Sequence, residues 1–479
     1  MWTSHVTLGV RATFLYPRTS ITPLHSTPPA MSPILKSKRR IVITGIGPVT
    51  GFGVGIDPLW QGLCEGRSAI RAISAFDPSG FYSTVAATIA PEQLDIRAIV
   101  PKSYRKATKV MARDIEIAVA AAGSAVAAAG LTTRGTHEGA APTIAPERVG
   151  CHIGAGLIPA DSDELASAML SCRTADGGFD PGEWGRTGMN NLTPLWLLKY
   201  LPNMLACHVT IIHDCQGPSN TLTCAEASGA LSIGESMRVI RRGDADACLS
   251  GGAESKVNYM GMLRQTFANR LARVATGDDG VAAVRPFDDS ASGTVLGEGG
   301  GILITETYES AQRRGVRAVA ELAGFAARQC SCTDTVGVEL ADAPGDIASA
   351  IEGALDDAQT PASDIDAIVP LGTGIPTVDR AEAGALRMIF GERTAQIPLV
   401  TLAPHVGICG AGASAIAACV AAQCLAQQRL PARLSTRSST TLAVDAAARP
   451  SCAAALRTVL VTATGMGGQS AALVLRSIS

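Results

Sequence analysis

The chain of 479 residues is 47% hydrophobic but only 4% aromatic, and 50 of its residues are glycine. Its apolar mass is therefore Ala, Val, Ile and Leu, the composition of sheets covered by closely packed helices, and its length suits two or three average domains or one large α/β body built from two similar halves. A net charge of −2 without a sustained block of one sign excludes any charge-based case for a nucleic-acid or anionic-membrane partner.

Residues 1–38 contain no Asp or Glu but carry Arg, Ser, Thr and Pro, which fits a targeting peptide or a flexible leader. Met31 opens MSPILKSKRRIVITG, an ordinary start before a first strand, so the preceding 30 residues also read as a mis-assigned start or a disordered tail. From Arg39 onward, short β-branched runs alternate with alanine-rich stretches. RRIVITGIGPVT, RVGCHIGAGL, DACLSGGAES, GGGILITETY, DAIVPLGTGI and TVLVTATGMGG each predict a buried strand entering a Gly-containing turn. YRKATKVMARDIEIAVAAAGSAVAAAG and CAEASGALSIGESMRVIRRGD predict helices, and the alternation predicts a layered α/β architecture. Ile41–Thr50 faintly echoes Ile368–Thr377, as expected of a duplicated chain whose second half begins near Glu306. Arg134–Pro146 and Ser435–Ser451 read as surface loops. The 13 cysteines are scattered, and Cys330 and Cys332 lack CxxC spacing and a neighbouring histidine. They predict reduced core residues of a cytoplasmic protein, with no metal site and no membrane span.

Five ordered segments carry a family resemblance: RRIVITGIGPVTGFG, then Gly217–Ser255 (GPSNTLTCAEASGALSIGESMRVIRRGDADACLSGGAES), VRPFDDSASGTVLGEGGGILITE, GTGIPTVDRAEAGAL and GMGGQSAALVL. Together they resemble the β-ketoacyl carrier-protein synthases, condensing enzymes of fatty-acid and polyketide synthesis, over residues 39–479. The resemblance implies a thiolase-like fold, two βαβαβαββ halves in pseudo-symmetry packed as five layers, with residues 39–305 forming the N-terminal half and 306–479 the C-terminal half. It implies no cofactor. As partners it implies an acyl carrier protein and an active ketosynthase, in a homo- or heterodimer, with Pro202–Asn220 along the subunit interface; the apolar centre Cys207–Ile212 reads as a surface strand needing a partner.

In this family a cysteine on a strained turn at a helix N-terminus attacks the acyl thioester, its thiol pKa lowered by free amides and the helix dipole. The match puts Glu226 at that position, and Cys224, two residues off, reads as a core residue. Leu371 falls at the first catalytic histidine. An ungapped match puts Ile408 at the second and Ala403 at the lysine; a one-residue shift puts Gly407 and Leu402 there instead. The last lysine in the chain is Lys256 and the sole histidine after His213 is His405, so the family's Cys-His-His-Lys set cannot be assembled in order. His405 is the one candidate replacement, against an ordinary buried or loop histidine. The structural frame is kept: GEGGG at Gly297–Gly301, Asp379 and Glu382 after the GTG turn, and Met466 flanked by Gly465 and Gly467, where the backbone N–H would serve an oxyanion hole. Three readings follow: a non-catalytic partner like the chain-length-factor subunits, an acyltransferase-family enzyme repurposed around Glu226, or an active synthase with an atypical site. A carboxylate at a helix N-terminus is a poor acid, which favours the first, with Glu226 as a plug over waiting amide donors.

Overall fold

Residues 39–274, 277, 280–330, 344–434 and 442–478 are described by the computed structural model. The expected leader, Cys332 and residues 435–441 of the expected second loop lie outside the described residues.

Ile41–Thr50 (β1) is buried along its whole length, as an uninterrupted β-branched and glycine run should be when both sheet faces are covered. The first set of strands continues with Val149–Ala155 (β2), Ser219–Leu222 (β3), Ala247–Ser255 (β4) and Glu298–Thr307 (β5). β2 pairs in parallel with both β3 and β4, β4 is antiparallel to β5, and β5 is antiparallel to β1. Ala320–Gln329 (β6), Ala367–Val369 (β7), Thr458–Thr464 (β8) and Gln469–Arg476 (β9) repeat the pattern. Leu399 bridges in parallel to Ile368 of β7, β7 is parallel to β8, and β8, β9 and β6 follow antiparallel. The two sets join where Val42 and Ile43 meet Glu321 and Ala320.

This order makes β6 the counterpart of β1 and β7 the counterpart of β2. The echo between Ile41–Thr50 and Ile368–Thr377 therefore compares strands that are not equivalent; it reflects the shared chemistry of a strand entering a glycine turn. A truer sign of duplication lies in the glycines. The β1 ladder slips between Ile43 and Gly45, and the β9–β6 ladder slips beside Gly324. A Cβ on Gly45 would sit 2.2 Å from Ala125 O, and one on Gly324 would sit 2.3 Å from Ala354 O. In each half a helix backbone packs directly onto a bulged strand, a contact that excludes any side chain.

Those helices are Arg113–Ala128 (α1) and, in the second half, Pro344–Ala358 (α4). Between them in the chain come Met204–His213 (α2) and Ser228–Arg242 (α3), and after them Pro376–Phe390 (α5) and Ala413–Gln427 (α6). α3 and α6 touch strands of both sets and each other, α1 and α2 cover one outer face, and α4 and α5 cover the other. Five layers result, as the resemblance implies. Gly410–Gln427 is long and apolar enough to cross a membrane, yet it is largely buried inside the protein, so its apolarity on all sides belongs to a central helix.

Two local expectations are corrected. Cys207–Ile212 lies within α2 rather than in a surface strand: Leu205, Ala206, His208, Val209, Ile212 and His213 are its buried residues, a helical spacing that a short apolar run does not reveal on inspection. The edge strand is the next element, β3, which pairs with β2 alone. In the second predicted loop, Leu442, Val444 and Ala446 are buried in the second-half core, so that part of it is structural filling. Among the described residues every cysteine is free; Cys452 is exposed, most of the others are buried, and Cys224 is half-buried.

Candidate functional site

β3 runs out at Leu222 and the chain turns sharply into α3. Ala225 at the turn takes φ 48°, a left-handed backbone that costs a residue with a Cβ about 1–2 kcal/mol. Serines hold it: Cys224 N–H donates to Ser228 Oγ at 2.7 Å, Ser228 Oγ–H donates to Ala225 O at 2.7 Å, and Ser414 of α6 donates to Glu226 O at 2.7 Å. The fold thus maintains a strained elbow and sets Glu226 on it, 3% exposed.

Glu226 does not face the backbone alone. Arg270 Nη2 donates to Glu226 Oε1 at 2.5 Å, and both side chains are almost fully buried. Burial would raise the Glu226 pKa, but the charges of Arg270 and then Lys256, with the N–H groups of Glu226 and Met466, hold it below the usual carboxylate value. Those two N–H groups lie near enough to favour the anion, yet no hydrogen bond with good geometry reaches Oε2. The lowered pKa agrees with the sequence expectation, but a guanidinium is the larger cause. Lys256 Nζ is itself 3.1 Å from Glu254 Oε2, which also accepts the Ala411 N–H at 2.7 Å. Two cations and two anions therefore meet at the elbow.

Leu371, Ala403 and Ile408 line one cavity of only about 20 Å³, with Leu402, Gly407, Ser414 and Thr462 also in its wall. That volume holds about one water. The positions matched to two histidines and a lysine thus gather in space, and apolar side chains pack them shut. The loop that carries Leu371 keeps its supports: Leu371 and Gly372 N–H donate to Glu382, and Thr373 and Gly374 N–H to Asp379. His405 is turned away, its Nδ1 2.7 Å from Arg67 O and its Nε2 3.0 Å from Ala432 O, and burial lowers its pKa. It clamps three segments of backbone. Burial raises the thiol pKa of the half-buried Cys224, which works against thiolate formation there. Gly465 packs so closely on the elbow that a Cβ there would lie 2.4 Å from Cys224 O, which brings the Met466 turn over Glu226.

Sequence reasoning used Lys256 only as the last lysine and did not single out Arg270 or Glu254. A signal existed for Glu254 and Lys256. Glu254 lies at the end of β4 and Lys256 just past it, and polar groups at the carboxyl ends of parallel strands gather at one site in α/β sheets. Arg270 arrives from the irregular segment after the helix Tyr259–Phe267, which has no such signature. A separate cleft of about 410 Å³ is floored by Arg113, Asp114 and Val257. Burial, then Glu254, pushes the Asp114 pKa up to about 8, against the N–H bond from Ser255.

A duplicated five-layer body with a strained strand-to-helix elbow between its halves defines a thiolase-type condensing-enzyme fold. Residues 38–311 match the N-terminal domain of the β-ketoacyl synthases and residues 304–437 the C-terminal domain, so the chain belongs to that family. It is 33% identical over 447 residues to the actinorhodin polyketide β-ketoacyl synthase 1 of Streptomyces coelicolor, covering 92% of this chain and 89% of the relative. It is 29% identical to 3-oxoacyl-[acyl-carrier-protein] synthase 2 of Staphylococcus aureus, covering 75% and 78%. Among solved structures, the ishigamide ketosynthase/chain length factor superposes with TM-score 0.76 at 26% identity, over 92% of this chain and 100% of that one. A β-ketoacyl synthase from Burkholderia phymatum gives the same values.

Proposed function

We propose that this chain is a non-catalytic, chain-length-factor-like subunit that pairs in the cytoplasm with an active ketosynthase and its acyl carrier protein. One observation carries the reading: the nucleophile position holds a buried carboxylate locked to Arg270, while Leu371, Ala403 and Ile408 close the space where histidines and a lysine would work. A carboxylate attacking a thioester would give an anhydride, and the neighbouring titratable side chains, Glu254 and Lys256, are already paired with each other. The edge strand β3 and the exposed apolar side chains Leu157, Leu170, Leu195 and Leu197 support a partnered surface. Leu195 adds left-handed backbone at φ 64°, strain that burial against a partner would offset. The likeness to the ishigamide ketosynthase/chain length factor supports the same reading. Within the chain, we assign residues 39–305 and 306–479 as the two ketosynthase-like halves.

The test is malonyl-dependent condensation on acyl and malonyl carrier protein by this chain alone, by a cysteine-bearing ketosynthase alone, and by the co-purified pair. The chain alone should give no turnover and the pair should give product. Turnover by the chain alone, abolished in Glu226→Ala, would overturn the proposal.

A further inference from the structure

The ion pair at the elbow is incomplete on both sides. Arg270 uses Nη2 on Glu226 Oε1, while Arg270 Nε and Glu226 Oε2 have no hydrogen-bond partner, although the residues are only 5% and 3% exposed. A guanidinium offers a flat fork suited to both oxygens of one carboxylate, and here a tethered carboxylate reaches one prong. Lys256 adds a second cation whose charge acts on Glu226, while its own hydrogen bond goes to Glu254. Glu254 Oε2 accepts from both Lys256 and the Ala411 N–H, while its buried Oε1 has no hydrogen-bond partner.

We propose that Arg270, Lys256 and the N–H groups of the Glu226 and Met466 turns form a recognition site for a small aliphatic carboxylate, and that Glu226 fills it in cis as a tethered ligand. The inference deepens the plug reading given above and rests on it. The charge count carries the argument. Arg270, Lys256, Glu226 and Glu254 sum to zero; without the Glu226 side chain, these groups carry one net positive charge and the buried Arg270 loses the acceptor of its Nη2. Truncation of Glu226 to alanine removes a CH₂–COO⁻ fragment, which has the heavy atoms of acetate. A neutral acetamide has the same shape without the charge, and a carboxylate longer than acetate would meet the turn itself. The parent protein, with its ligand attached, has no room for a second.

The experiment titrates acetate, acetamide and chloride into the parent, Glu226→Ala, and Glu226→Ala with Arg270→Gln, by calorimetry and by thermal unfolding. The single variant should bind acetate at least about tenfold more tightly than it binds acetamide or chloride, and than the parent binds acetate, and Arg270→Gln should abolish that preference. Equal response to acetate and acetamide, an equal response from the parent, or none in a folded Ala variant would overturn the proposal. Should the Ala variant not fold unaided, its refolding yield with acetate against acetamide gives the same reading: recovery specific to acetate supports the site, and none overturns it. Condensation assays on the same preparations separate the two ideas. Turnover by the parent with acetate binding intact in the variant would end the non-catalytic reading and leave the carboxylate site standing.

Discussion

Glu226→Ala tests the energetics of the elbow most directly. If Glu226 did no more than cover backbone donors, its loss would leave them unpaired at a cost of about 1–3 kcal/mol. The structure gives a larger expectation, because the variant strands the Arg270 guanidinium in a site where both side chains are almost fully buried. Removing one partner of a buried pair typically costs about 3–5 kcal/mol, whereas replacing both by apolar side chains of similar size is close to neutral. Equilibrium urea unfolding of the parent, Glu226→Ala, Arg270→Met and the double variant Glu226→Leu with Arg270→Met should show two large single losses and a double variant near the parent. A Glu226→Ala loss below about 1 kcal/mol at unchanged m-value would refute the reasoning, since an ion pair that leaves no stranded charge is not a buried one. The pH dependence has a definite sign. Arg270 and Lys256 hold the folded pKa of Glu226 below its unfolded value despite burial, so the stabilisation is fully present above the unfolded pKa and disappears as pH falls through the folded one. The parent and the Ala variant should therefore converge in acid.

Other expectations follow from the same geometry. Asp114 has its folded pKa raised to about 8, so its contribution to stability falls as pH rises from its unfolded pKa towards 8; Asp114→Asn should flatten that slope in unfolding measurements across the range while matching the parent in acid. Glu226→Cys should give a folded protein whose thiol, beside Arg270 and Lys256, reacts readily with iodoacetamide, yet carrier-protein assays should show no condensation because Leu371, Ile408 and Ala403 are unchanged. Gly45→Val and Gly324→Val should each destabilise by about 1–3 kcal/mol or more in chemical unfolding, since both force a helix backbone off its strand. Light scattering of the chain, alone and with a co-produced ketosynthase, should show a dimer; a strictly monomeric species in both would count against the partnered surface.

The linear sequence determined the fold class and the identity of the elbow. β-branched runs entering glycine turns, such as Ile41–Thr50 and Ala247–Ser255, and alanine-rich helices such as Arg113–Ala128 are local patterns, and the order of five motifs is read along the chain. The substitution at Glu226 and the absence of any lysine after Lys256 are likewise matters of order. Position in space was decided by the tertiary structure alone. Which strands are equivalent depends on ladder direction and on the bulges beside Gly45 and Gly324, so the echo between β1 and β7 misled. Whether Met204–His213 is helix or strand depends on which face finds a core. The partner of Glu226 depended on folding most of all. Arg270 lies 44 residues away in an irregular segment, and only the pairing of that segment with Thr294 in the folded chain holds it where its guanidinium meets the carboxylate. A buried charge must be compensated, but local sequence does not say by which residue, because Coulomb attraction depends on distance through space and the chain fixes that distance only when it packs.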